Sequence, residues 1–185
     1  ALHRRGRAGG GAPGGRGAGE DVVNPTRGPP RADDGFPGTT PAVAEAYRRI
    51  PIERGAGYAP IAGPQVFLEA VAHDLLGRSE LARSAVSVAT PGGTGALALA
   101  VGCFLEPGQS LLTTSYFCSP YQPIAEQSGR GLETFPMFTR SGAFDVEALA
   151  SHLERAGRRQ GRSLLFLNTP CHNPTGYSLD DREWQ

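Results

Sequence analysis

Apolar positions along the chain switch repeatedly between two periods from about residue 40 onward. Thr40 followed by Pro41 predicts a helix start, with the helix running to about residue 49. Residues 54–64 are rich in Gly and Pro and carry one aromatic, Tyr58. After Pro64, the residues Val66, Phe67, Ala70, Val71 and Leu75 recur at helical spacing, and Gly77 is placed to end that helix. Residues 85–89 form a short β-branched run and predict a strand. Residues 94–105 are small and apolar nearly all round, which predicts a buried helix. Strands are expected over 110–114 and 132–138, with a helix over 120–128 between them.

Asp145 precedes Val146, Leu149, Ala150 and Leu153, spaced i, i+3, i+4 and i+7, so it predicts a capped amphipathic helix. Residues 163–168 contain the unbroken run Leu164, Leu165, Phe166 and Leu167, expected as a strand buried on both faces. Ser178 with Asp181 three residues on predicts a further helix start, inside which the sequence stops. Strands alternating with helices imply an α/β layer structure with a largely parallel sheet. A last helix with so little to pack leads to the expectation that the chain is the N-terminal part of something longer.

Composition changes this picture at one end. The 185 residues include 26 Gly and 16 Pro. In residues 1–32, Arg4, Arg5, Arg7, Arg16, Arg27 and Arg31 face only Glu20 and Asp21, and the large aliphatics are Leu2, Val22 and Val23. Such a segment buries too little apolar surface to offset the entropy of ordering it, so residues 1–34 are expected to be a disordered leader. An RNA-contacting tail is the alternative, but no aromatics interleave with the arginines. The net charge of zero argues against a surface built to grip nucleic acid or anionic membrane. The longest apolar stretch, 95–105, is about half a membrane span, and no signal peptide is visible. Cys103, Cys118 and Cys171 lack metal-site spacing and read as reduced thiols of a cytoplasmic protein; no metal site is expected. All 18 basic residues are Arg; the chain has no Lys.

Two loops carry candidate chemistry. Thr90, Pro91, Gly92, Gly93, Thr94 and Gly95 lie between a predicted strand and a predicted helix. Glycines let the backbone approach a ligand there, and a helix N-terminus favours phosphate. The spacing is neither a Walker A loop nor a dinucleotide fingerprint, and a plain tight turn is the alternative. The second loop, Asn168 to Tyr177, follows the buried strand and contains Cys171, His172, Asn173, Pro174, Thr175 and Gly176. Both loops should project from the carboxyl edge of one sheet. His172 reads as a base, a ligand or a hydrogen-bonded loop residue. Asn173 is the better ligand contact, because its amide can donate to an oxygen.

In this order, on this α/β pattern and about eighty residues apart, the two loops resemble those of the aspartate and aromatic aminotransferase family. The resemblance covers roughly residues 55–185. It implies the large domain of a three-layer, fold type I transferase dependent on pyridoxal 5'-phosphate, present here in part. It further implies that Gly93 and Thr94 bind the cofactor phosphate and that Asn173 hydrogen-bonds the phenolic oxygen of the pyridine ring. The Asn173–Pro174 bond is expected to be cis. Tyr58 resembles the tyrosine that reaches the neighbouring subunit's phosphate in a homodimer, with a packing aromatic as the alternative. Residues 35–63 would then be an arm and dimer contact, and 64–185 the first half of the cofactor-binding domain.

The chain also departs from the family. Where an aromatic stacks on the cofactor ring, the spacing places Cys118, with Phe117 beside it and Tyr121 three residues on. The family's cofactor-linking Lys, the Asp that pairs with the ring nitrogen and the substrate-carboxylate Arg would all follow residue 185. The implied reaction is amino-group transfer between an amino acid, aromatic or acidic, and a 2-oxo acid. A chain without Lys is expected to be catalytically incomplete. Another reaction on the same fold (lyase or decarboxylase), a non-enzymatic remnant and an anion- or RNA-binding module are the alternatives.

Overall fold

The computed structural model describes residues 38–77 and 79–185, so the expected leader, residues 1–34, lies outside the described residues. The chain divides into two units after Tyr58. In the first, Pro41–Arg48 forms helix α1 and Ile52–Ala56 forms α2. Pro41 sits at the start of α1 as its fixed φ favours, but the Thr40 side chain makes no capping hydrogen bond. Glu45 pairs with Arg48 and Arg49 across exposed turns, a weak contribution in water. Helix α2 was not expected from the glycines around it.

The second unit holds helix α3 (Gln65–Leu76), a 3-10 turn (Glu80–Arg83), α4 (Gly92–Phe104), β1 (Ser110–Thr114), α5 (Tyr121–Gln127), β2 (Gly131–Phe135), α6 (Val146–Gln160) and β3 (Leu165–Phe166). The three strands form a parallel sheet in the order β2–β1–β3. Ser110 pairs with Gly131 and Thr114 with Phe135, while Leu112 pairs with Leu165. The segments that follow the three parallel strands therefore leave from the same edge of the sheet.

Alternation along the strands builds two apolar layers. Leu111 and Phe166 pack with Val101 and Leu105 of α4 and Tyr121 and Ala125 of α5. Leu112, Phe135 and Leu165 point to the other face, where Phe144, Ala148, Leu149 and Leu153 bring in α6. The result is the expected helix–sheet–helix sandwich. Asp145 caps α6, its carboxylate accepting from Ala148 N, and Gly161 ends the helix at φ 75°. At the amino edge, Gln160 fastens α6 to β1: its side chain accepts from Ser110 N at 3.0 Å and donates to Ser110 O at 2.9 Å.

Several expectations need correction. Residues 85–89 are not a strand; among the described residues no strand pairs with them, and Val86 is 89% exposed. A β-branched run becomes a strand only where a partner supplies the ladder. The strand expected over 132–138 stops at Phe135, and that over 163–168 narrows to Leu165–Phe166, where β1 offers pairing. Helix α4 is apolar all round, yet only Val101 is buried, since only one of its sides meets α5 and the sheet. The apolar stripe of α3 is likewise exposed at Val66, Phe67 and Leu75. Residues 181–184 form a turn, and no helix starts at Ser178. Asp180, not Ser178, accepts from the following amides of Arg182 and Glu183, while Ser178 Oγ accepts from Cys171 N.

Candidate cofactor-binding site

Parallel strands deliver their following loops to one edge, and two of those loops meet there. The loop after β1 is tied to the one after β2: Ser115 N donates to Phe135 O at 2.8 Å, and Met137 N to Ser115 Oγ at 3.2 Å. The loop after β3 closes on itself. Asn173 N donates to Asn168 Oδ1 at 2.6 Å, His172 N to Tyr177 O at 2.7 Å and Gly176 N to His172 O at 2.6 Å. Gly176 takes φ 74°, a conformation glycine adopts without a Cβ clash. Cys171 has φ 55°, and the Thr169–Pro170 and Asn173–Pro174 bonds are cis, the second as expected.

The two loops touch at predicted site residues. Asn173 Nδ2 lies 3.7 Å from Cys118 Sγ, bringing the loop after β3 onto the loop after β1. Tyr121, by contrast, has a core place. It is 8% exposed, its ring meets Phe166 edge-on at 5.3 Å and stacks with Phe117 at 6.2 Å. Burial, with the neighbouring Cys118 sulfur, raises the pKa of its phenol. Cys118 is half-buried on this aromatic layer.

Gly93 and Thr94 occupy the first turn of α4, exposed and without a side-chain cap. The first amides of any helix lack intrahelical acceptors and attract anions. A Cβ on Gly93 would meet nothing within 4 Å, so the turn is open to a ligand. Gly92 has φ 69°, and its carbonyl accepts from Thr90 Oγ1 at 3.0 Å. Gly95 is needed for packing: a Cβ there would lie 2.7 Å from Pro91 Cδ. Tyr58 is fully exposed at the end of the first unit. Because residues 85–89 form no strand, the loop before α4 does not leave a strand of the sheet as expected. Gly93 and Thr94 offer amides to an anion at the start of α4, Asn173 offers its amide beside Cys118, and the chain has no Lys for a covalent link.

His172 is the hydrogen-bonded loop residue among its expected readings, but two sets of contacts escaped the sequence reading. His172, 3% exposed, reaches Thr114 at the end of β1, and burial lowers its pKa against a smaller opposing hydrogen bond to the Tyr116 backbone. The signal was a pair of threonines closing an apolar strand. Glu183 accepts from Tyr177 Oη at 2.6 Å, from Phe144 N at 2.8 Å and from Asp180 N at 3.0 Å. Burial opposes its charge, but these bonds together outweigh it and lower the carboxyl pKa. A depression of ≈ 480 Å³ beside Phe104, Arg162 and Leu164 precedes β3 and so lies away from the carboxyl edge.

A helix–sheet–helix body whose loops converge in this way belongs to the fold type I class of pyridoxal-phosphate transferases. Residues 20–185 match the family described as aminotransferase class I and II, and the chain belongs to that family. It is 32% identical over 129 residues to an aromatic-amino-acid aminotransferase of Pseudomonas aeruginosa, covering 66% of this chain and 31% of that protein. It is 31% identical over 178 residues to an L-tyrosine:2-oxoglutarate aminotransferase of Aspergillus ustus, covering 88% of this chain and 34% of that one. The crystal structure of an aminotransferase from Anaerococcus prevotii superposes with a TM-score of 0.80 at 33% identity, covering 88% of this chain and 40% of that chain. The chain thus spans about a third of the length of the curated relatives it matches. Among the described residues no helix is long and apolar enough to cross a membrane.

Proposed function

We propose that this chain forms part of the cofactor site of an aminotransferase that moves an amino group between an amino acid, aromatic or acidic, and a 2-oxo acid. The observation that carries the reading is the meeting of Asn173 with Cys118 at the carboxyl edge of the parallel sheet. Pyridoxal phosphate, when bound, supplies an electron-withdrawing ring that stabilises negative charge at the substrate α-carbon. The Gly93 and Thr94 amides and the Thr94 hydroxyl hold its phosphate at the α4 N-terminus. Asn173 donates to the ring oxygen and favours its anionic form. Cys118 borders the ring with a polarizable sulfur where the family places an aromatic, and Tyr121 supports it from the core.

Tyr58, fully exposed, suits a contact to the phosphate of a second subunit in a homodimer. Cys103, Cys118 and Cys171 are free thiols, which fits a cytoplasmic protein. The amine that attaches the cofactor and shuttles the proton is not among these residues. The 185-residue chain is therefore expected to bind pyridoxal phosphate weakly, on the order of millimolar, and to turn over no substrate.

The test is an NMR titration of the chain with pyridoxal 5'-phosphate. The Gly93 and Thr94 amides and the Asn173 side-chain amide should shift together along one binding curve. Shifts confined to the arginines of α6, or none up to tens of millimolar, overturn the reading. A coupled assay with aspartate or tyrosine and 2-oxoglutarate should show no turnover; activity that survives purification overturns the statement on completeness.

A further inference from the structure

The hydrogen bonds around His172 run in one direction. Thr114 Oγ1 donates its single proton to Tyr116 O, so towards His172 Nε2, 3.3 Å away, it acts as an acceptor. Nε2 therefore carries a proton. In a neutral ring Nδ1 is then an acceptor, and Thr175 Oγ1 donates to it at 2.9 Å. Thr175 Oγ1 in turn accepts from Tyr177 N at 3.3 Å. The relay runs from the backbone of the loop after β3, through the imidazole, to the backbone of the loop after β1. A neutral ring also fits a side chain that is 3% exposed.

The other side-chain hydrogen bonds of residues 168–176 close the loop on itself or on Ser178. Among the described residues, only His172 and Asn173 carry such bonds from this stretch to another segment. Of these two, the contact of Asn173 ends on sulfur, a weak acceptor that holds little. We infer that His172, as its Nε2–H tautomer, is a positioning residue: it clasps the loop after β3 to the end of β1 and thereby sets where the Asn173 amide lies. Its consequence for ligand binding rests on the reading of Asn173 as a cofactor contact, whereas the clasp itself does not.

The first test is the imidazole 15N spectrum of the full chain near neutral pH. A neutral His172 with the proton on Nε2 is expected; a ring protonated on Nδ1, or on both nitrogens, overturns the inference. The second test reads the position of Asn173 through the thiol it covers. Alkylation of Cys118 by iodoacetamide is followed by peptide mass spectrometry, with Cys103 as the internal reference. His172→Ala should raise the Cys118 rate relative to Cys103 about fivefold, the equivalent of one net hydrogen bond. His172→Gln, which keeps a donor and an acceptor, should restore most of the protection. Thr175→Val, at an exposed position, removes only the donor to Nδ1 and covers the case in which His172→Ala fails to fold. An unchanged Cys118 rate in the folded variants overturns the clasp. No cofactor enters either readout, so failure of the proposed function leaves both tests standing.

Discussion

The side-chain amide of Asn173 lies 3.7 Å from the sulfur of Cys118, across 55 residues of sequence. One comes from the loop after β3 and the other from the loop after β1. Sulfur is a weak acceptor, so this contact leaves most of the amide's donor strength unspent. An anionic oxygen arriving at the same place is a far better partner. The pair therefore has the character of a resting contact that a ligand would replace.

Replacing Asn173 by Ala removes that donor. A hydrogen bond to a charged oxygen contributes about 1.5–3 kcal/mol, so affinity for pyridoxal phosphate should fall at least about tenfold. The titration of Gly93 and Thr94 amides measures it. Equal affinity in the Asn173→Ala chain would remove Asn173 from the site.

His172 makes stability depend on pH in a definite direction. Burial lowers its folded-state pKa below the ordinary value of about 6.5, so the unfolded chain binds the proton more readily. Its contribution is fully present above about pH 6.5 and is lost as pH falls through the folded-state value. The slope from this one group cannot exceed about 1.4 kcal/mol per pH unit. Urea denaturation between about pH 8 and pH 5 should show this limb, and His172→Gln should flatten it. Identical limbs would assign the acid sensitivity elsewhere.

Two residues that the sequence marks as helix caps should respond differently. Asp145 accepts from Ala148 N, whereas Thr40 makes no capping bond. Asp145→Ala should cost about 1 kcal/mol, and Thr40→Ala only a few tenths. Denaturant midpoints of the two variants decide it; equal losses would contradict the cap geometry.

Gly63 is a further sensitive position. It takes φ 108°, and a Cβ there would stand 2.6 Å from the Ala89 Cβ, while Ala89 N donates to Ala62 O at 2.7 Å. Gly63→Ala combines a disfavoured backbone with crowding, about 2–3 kcal/mol together. Because Ala89 leads into the loop that starts α4, the Gly93 and Thr94 amide resonances should move as well. A variant as stable as the parent, with unmoved resonances, would refute the contact.

The elements most legible in the sequence were those whose signal is local. Asp145 and the i, i+3, i+4, i+7 stripe after it define α6 without reference to the rest of the chain, and Pro64 with Gly77 brackets α3. The strand expected over 110–114 coincides with β1, where Leu111 and Leu112 face opposite apolar layers, whereas the run apolar on both faces, 164–167, pairs only at Leu165 and Phe166. The helix start at Gly93 and Thr94 and the loop bearing Asn173 were legible through glycine, proline and asparagine, whose backbone and hydrogen-bonding properties belong to the residue itself. Tertiary structure decided everything that needs a second partner. Val86 and Val88 have strand propensity but no neighbouring strand among the described residues, so residues 85–89 stay irregular. Leu165 and Phe166 pair because β1 lies beside them, and the residues on either side have no such ladder. His172 could be read as a base, a ligand or a loop residue until Thr114 appeared 3.3 Å from its ring. A hydrogen bond between positions 58 apart leaves no periodic trace in the sequence; only the parallel sheet, by bringing the carboxyl ends of β1 and β3 together, determines that it forms.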